Sequence, residues 1–324
     1  MDYKRIVAHS DFDGIASASL CMLMYGKMDV AFSGPVDINM RKMPLSETDV
    51  IVDLPYGTPA GLWYDHHEGN TEDVKLLGVD PDAIPGKRQV YPSCAGLIYD
   101  TFRDSFPFPE FIPELVTGVN RVDSFSYADI ADWRRETPDR IIDLALKADF
   151  DSRREQFSYM REMAYRLMKT PVGELVKEPD ILSNYKRTKE NEDRGLQLID
   201  KILKVADPET GRFLLLDFSD FKTPIRVNRS LAFLKEPSAD VVIAVLPLFD
   251  RGVKTTDLMF SMSLAIHAAG RYDLGDIVRT LNIGDGHTGA ASGKLESHGK
   301  AEMLKAKDKT LEFILKTLKE QAGK

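Results

Sequence analysis

The chain has 324 residues, 43% of them hydrophobic and 29% charged, with 43 Lys and Arg against 51 Asp and Glu and a formal charge of −8. That length exceeds what one hydrophobic core usually organises and sets an expectation of two domains. The acidic balance argues against a protein that tracks long nucleic acid by neutralising many phosphates, and no apolar run is long enough to span a bilayer as a helix.

Both cysteines, Cys21 and Cys94, have apolar neighbours and read as small buried hydrophobes, which fits a reducing cytoplasm. The amino terminus leads into a β-branched segment carrying Asp2 and Lys4, unlike a signal peptide. Lys4 to Ala8 then reads as a strand, Gly14 to Tyr25 as a helix with apolar positions Ile15, Ala18, Met22 and Tyr25, and Val50 to Val52 as a second buried strand. Leu62 to Tyr64 is a short apolar step, and Ser93 is placed to cap a helix through Leu97, Ile98 and Phe102. Alternating strands and helices predict a mainly parallel sheet.

From about Asp151 the composition turns to charged helix, and 186–205 reads as a helical connector between a first domain, 1–185, and a second, 206–324. The second set of strands runs through Phe213–Leu216, Val241–Leu246 and Met259–Met262, with helices near Arg229–Phe233 and Leu274–Leu281. A last helix covers Ala301–Gln321. The expectation is two α/β domains joined by a helical connector, with the active site in the cleft between them.

Chemistry concentrates at strand ends. In His9-Ser10-Asp11-Phe12-Asp13-Gly14, alternate residues of an extended segment point the same way, so His9, Asp11 and Asp13 can converge, and Gly14 allows a sharp turn into the helix. Asp53 follows the run Val50-Ile51-Val52, and Asp65-His66-His67 ends another apolar step. Asp123 follows Asn120-Arg121-Val122. Each segment alone reads as a turn, cap or loop; together they offer imidazole and carboxylate ligands along the edge of a sheet where ligands gather.

In this order and rough spacing the four segments resemble the signature motifs of the DHH phosphoesterase superfamily. Gly284-Asp285-Gly286-His287-Thr288-Gly289-Ala290-Ala291-Ser292-Gly293 is similar to the glycine-histidine motif of the DHH-associated carboxy-terminal domain. The resemblance implies a metal-dependent hydrolase with two divalent ions, most simply manganese given the mixed ligands. His9 and Asp11 would hold one ion and Asp13 and His66 the other, with Asp53 bridging and Asp123 completing the set. Asp65 would orient His66, and His67 would contact the scissile phosphoryl group. His287, with backbone amides freed by Gly284 and Gly286, would form an anion cradle.

The chain departs from that pattern twice. Ser261-Met262-Ser263-Leu264 stands where the family often has Ser-x-Arg-Ser, and Asp285 stands where glycine is usual. Arg226 or Arg229 would then supply the missing cation. The implied function is hydrolysis of short oligonucleotides, as by nanoRNases, with phosphoadenosine phosphate as a further substrate. Exopolyphosphatase or pyrophosphatase, cyclic-dinucleotide phosphodiesterase and a non-catalytic nucleotide sensor remain as alternatives. The expected partner is a small phosphate-bearing substrate, without membrane or long nucleic acid, and a homodimer is allowed.

Overall fold

Short β-branched runs separated by helices fold here into two units, Met1–Ser126 with Arg135–Lys189, and Tyr127–Arg134 with Glu190–Lys324. The structure is a computed structural model and describes residues 2–323.

The first unit is built on five parallel strands: β1 (Arg5–His9), β2 (Asp29–Ser33), β3 (Asp49–Val52), β4 (Leu62–Asp65) and β5 (Gly86–Arg88), in the order β2-β1-β3-β4-β5. Side chains alternate between the faces, so Ile6, Ala8, Val50, Val52, Leu62 and Tyr64 enter one core and Val7, Ile51 and Trp63 another. Burial of both faces is what an all-parallel sheet requires, and it explains the runs without polar alternation. The indole N–H of Trp63 is satisfied by the Leu54 carbonyl at 2.8 Å, and the hydroxyls of Tyr25 and Tyr64 meet at 2.6 Å. The strand order reverses between β1 and β3, the place where open sheets of this kind bind ligands beyond the carboxyl ends of their strands. Registers Ala8 with Val52 and Val52 with Tyr64 bring the ends of β1, β3 and β4 level.

The second unit contains six strands: β6 (Leu203–Val205), β7 (Phe213–Asp217), β8 (Val241–Asp250), β9 (Val253–Leu264), β10 (Gly284–His287) and β11 (Ala290–Leu295), ordered β10-β11-β9-β8-β7-β6. Only β7 and β8 run parallel. Its core joins Phe213, Phe218, Val242, Phe260 and Met262 to Ile314 and Leu318 of the helix Lys300–Ala322. Two stretches differ from the sequence reading. Residues 186–205 are the second half of the helix Pro179–Ile202 plus the edge strand β6, and the units divide inside that helix, at Lys189. Tyr127 and Trp133 carry their segment into the second unit because their side chains are buried in its core. Among the described residues no helix is long and apolar enough to cross a membrane.

Candidate metal centre

The extended chain ends at His9, and Asp11 already serves as N-cap of the helix Phe12–Tyr25, accepting from the Gly14 amide at 3.0 Å. Asp13 therefore leaves from the first helical turn and not, as the sequence suggested, from an extended arc. Gly14 matters for closeness: a Cβ there would lie 2.3 Å from the His9 carbonyl oxygen. The buried Asp13 carboxylate receives the amides of Cys94 at 2.6 Å and Ala95 at 2.8 Å. These are first-turn amides of the helix Cys94–Phe102, which has no internal acceptors for them. Burial, and then the charges of Asp53 and Asp123, push the Asp13 carboxyl well above its ordinary range, against the pull of His66.

Asp53 is 2% exposed and adopts a left-handed backbone, φ 57°, directly after β3, with its amide bonded to the Tyr64 carbonyl at 3.0 Å. A non-glycine residue there is strained by roughly 1–3 kcal/mol, and such strain gathers at functional positions. The turn brings its carboxylate between two histidines, 3.4 Å from Nδ1 of His9 and 3.3 Å from Nε2 of His66. His9 Nδ1 also meets Asp11 at 2.6 Å, while His66 Nε2 lies 3.5 Å from Asp123 and 3.7 Å from Asp13. Donor atoms fall into three overlapping groups, each within 4.8 Å: His9, Asp11 and Asp53; Asp13, His66 and Asp123; Asp53, His66 and His67.

Oδ1 of Asp53 and Nε2 of His66 are buried and face each other at 3.3 Å, yet have no hydrogen-bond partner among the described residues. Leaving such atoms unpaired costs about 1–3 kcal/mol apiece, so their environment fits a bound cation better than a purely structural role. Burial alone would lower both histidines, but the surrounding carboxylates raise His9 to about 11 and His66 to about 10. Asp53 moves the other way: burial would raise it, and the imidazoles of His66 and His9 facing it hold it low. Asp123 rises to about 7 through burial and the charges of Asp53 and Asp11. A crowd of carboxylates and imidazoles that must share protons is suited to divalent ions.

The supports of this centre were only partly foreseen. Nδ1 of His66 bonds the Tyr91 carbonyl at 2.9 Å, which leaves Nε2 as the lone-pair donor. Asp65 bonds Nδ1 of His67 at 2.9 Å and takes the Asn70 amide at 2.7 Å, so it orients His67 and not His66 as expected. The reason is direction: successive residues leave a strand on opposite sides, and Asp65 and His67 share one. Asp123 comes from the end of the helix Ile112–Asp123, not from a strand. That helix is fixed by the Arg121–Asp139 pair, at 3.0 and 2.5 Å, and by Asn120, whose side chain accepts from Ser93 at 2.6 Å. Gly96 admits Asn120; a Cβ would sit 2.3 Å from its Oδ1. Asn120 and Tyr91 carried no sequence signal, because each acts across a long chain separation.

In the second unit the glycine-histidine segment is not a cradling loop. It forms the hairpin β10–β11, pairing Gly284 with Gly293 and His287 with Ala290. Cβ atoms at Gly284 and Gly286 would lie 2.1 Å from the Ser292 carbonyl oxygen and 2.5 Å from that of Ala290, so these glycines serve close packing. His287 is exposed and its Nδ1 accepts from the Gly289 amide at 3.2 Å, which in the neutral ring leaves the proton on Nε2. The Asp285 side chain, the second departure noted above, lies outside the described residues. Arg226 is exposed. Arg229 is mostly buried: its guanidinium donates to the Met262 carbonyl at 3.0 Å, its Nε has no partner, and burial lowers it to about 10. Among the described residues no carboxylate pairs with this partly buried guanidinium. It rests on β9 at Met262, beside Ser263, where the family pattern would have its own arginine.

No family model matches the chain, and no curated protein matches it in sequence. Solved structures do. A pGpG-specific phosphodiesterase, PggH from Vibrio cholerae, shares the fold with TM-score 0.69 at 20% identity over 98% of this chain and 99% of that one. An exopolyphosphatase-related protein from Bacteroides fragilis gives TM-score 0.52 at 13% identity, covering 98% and 94%. RecJ from Thermus thermophilus, in complex with Mn²⁺, gives 0.51 at 14% identity over 97% of this chain but 52% of that one. These are DHH-family structures, and the chain has their fold, two α/β units with a parallel five-stranded sheet in the first.

Proposed function

We propose that the chain is a manganese-dependent phosphoesterase hydrolysing short oligonucleotides, with phosphoadenosine phosphate as a further substrate. The observation that carries this is the meeting of the donor groups at Asp53 and His66, whose facing atoms are buried and unbonded. His9, Asp11 and Asp53 would hold one divalent ion and Asp13, His66 and Asp123 a second, with Asp53 and His66 placed between the two groups. Such ions would supply Lewis acidity and an activated water.

The chain's own groups do the rest. The Tyr91 carbonyl holds a proton on Nδ1 of His66, so Nε2 is the nitrogen that would meet an ion, giving up its own proton as the ion binds. Burial would lower His67, and its bond to Asp65 outweighs this and raises it, which favours an imidazolium able to donate from Nε2 to a phosphoryl oxygen gaining charge. Arg229 and His287 recognise a part of the substrate that does not react; Gly284 and Gly286 allow the hairpin that carries His287.

The acidic net charge favours short over long substrates. PggH is specific for pGpG, a dinucleotide, which supports that length, whereas the exopolyphosphatase-related neighbour from Bacteroides fragilis points to phosphoanhydrides. The test is product identification by mass after incubation with Mn²⁺ and, in parallel, a diribonucleotide, a longer RNA, phosphoadenosine phosphate, a cyclic dinucleotide, pyrophosphate and polyphosphate. Nucleoside monophosphates from the diribonucleotide are expected. Orthophosphate from polyphosphate alone would move the assignment to an exopolyphosphatase, and no turnover with metal bound would leave a nucleotide sensor.

A further inference from the structure

Beside the metal-ligating groups, the first unit contains a cavity of about 370 Å³, a size that suits a small ligand. Ser10, which lies between His9 and Asp11 in the chain, forms part of its wall, and β2 supplies the adjoining part. The register pairs His9 with Ser33, so the lining residues Phe32 and Ser33 stand next to the end of β1 from which His9 emerges. Phe32 and Phe157 bring two rings to the wall, with centroids 5.7 Å apart and planes tilted by 45°. Polar groups of both kinds share the lining: Arg153 and Gln156, one turn apart at the start of the helix Arg153–Leu167, with Asp37 and Lys42. Arg153 and Gln156 have no side-chain partner among the described residues, and Asp37 has only Lys42, at 3.8 Å, too long for a hydrogen bond.

This combination selects a ligand. Aromatic walls suit a flat ring. A guanidinium and a carboxylate together ask for one ring with paired acceptors and, separately, paired donors. Guanine has O6 and N7 for the first and N1–H with the N2 amino group for the second. Adenine carries an amino group in place of O6 and has no N1–H, and pyrimidines have no N7.

We propose that this cavity is a base-binding subsite selective for guanine, taking the nucleotide whose phosphate meets the His9, Asp11 and Asp53 group. Arg153 reads O6 and N7, Asp37 reads N1–H and the N2 amino group, and the Phe32 and Phe157 rings bound the base. The inference rests on the phosphoesterase reading and deepens it by naming the base next to the reacting phosphate.

The test is equilibrium binding of GMP and AMP by titration calorimetry, on full-length protein saturated with Mn²⁺, for the wild type and for Arg153→Ala and Asp37→Ala. Mn²⁺ affinity and thermal melting of the same samples verify that each variant is folded. GMP is expected to bind at least tenfold more tightly than AMP to the wild type, and each substitution should bring that ratio below threefold, mainly by weakening GMP. A wild-type ratio near one, or a ratio that survives both substitutions, overturns the proposal. Turnover of short oligonucleotides without a guanine preference removes the subsite and leaves the phosphoesterase reading. A GMP preference erased by both substitutions, in a protein that hydrolyses none of the phosphoesters, keeps the subsite and removes the hydrolase.

Discussion

The two units handle polar groups in opposite ways. In the first, carboxylates and imidazoles are drawn below the surface at the ends of parallel strands, where Asp13 and Asp53 are almost wholly buried. In the second, His287 is exposed on the turn side of an antiparallel hairpin, and a partly buried cation, Arg229, has an Nε that makes no hydrogen bond among the described residues. Crowded buried acids shift one another's proton affinity and suit metal chemistry; an exposed imidazole and a partly buried guanidinium suit recognition of an anion that arrives from outside. Folding supplies the first arrangement through strand ends and helix starts, and the second through glycines that let strands approach.

The largest effect expected from this contrast follows loss of the shared ligand. Asp53→Ala should reduce manganese-dependent turnover by ~100-fold or more, because its carboxylate belongs to two of the three donor groups. Full activity under saturating Mn²⁺ would take Asp53 out of the centre. Next comes the Asp65–His67 pair. Asp65→Asn removes the charge that raises His67, so His67 should lose its proton at lower pH and the alkaline limb of the activity profile should move toward acid, with a loss of roughly 10–100-fold on that limb. An unshifted profile would reduce Asp65 to a structural partner.

A smaller effect sharpens the role of the second unit. His287→Ala should slow a dinucleotide by about tenfold while sparing a small activated diester, the pattern of lost remote binding, whereas His67→Ala should slow both. Equal losses on the two substrates for His287→Ala would end its assignment to recognition. The smallest effect concerns stability in chelator. Below pH 4 the Asp123 carboxyl is protonated whether the chain is folded or not. Between pH 4 and 7 the unfolded chain ionises first, because the folded value is raised to about 7, and the folded state loses stability as pH rises. Asp123→Asn should therefore stabilise the metal-free protein at pH 8 by on the order of 1 kcal/mol and leave it unchanged at pH 3.5. Denaturant melts at the two pH values would show it, and a destabilised variant at pH 8 would contradict the raised value.

The sequence made the first unit more legible than the second. His9, Asp53 and the Asp65-His66-His67 run each follow an apolar strand, so a period of two and the parallel pattern place them at one edge. Which histidine Asp65 serves was not legible, since that depends on which side each residue leaves the strand. Asp13 was found for a different reason than the one that holds it: amides of Cys94 and Ala95, some eighty residues away, fix its carboxylate. Arg153, Asp37 and Phe157 had no local signal, because the cavity they line joins segments far apart in the chain. The glycines around His287 drew notice as a loop and proved to be a hairpin; glycine marks close approach as readily as a turn, and composition does not separate the two.

The central claim is that Asp53 joins two ion sites, and counting ions tests it most directly. Metal-stripped protein titrated with Mn²⁺, followed by calorimetry and by electron paramagnetic resonance, should take up two ions per chain and show a spin-coupled pair, and Asp53→Ala should lose the coupled signal. One uncoupled ion in the wild type, or a coupled pair that persists in Asp53→Ala, would contradict it.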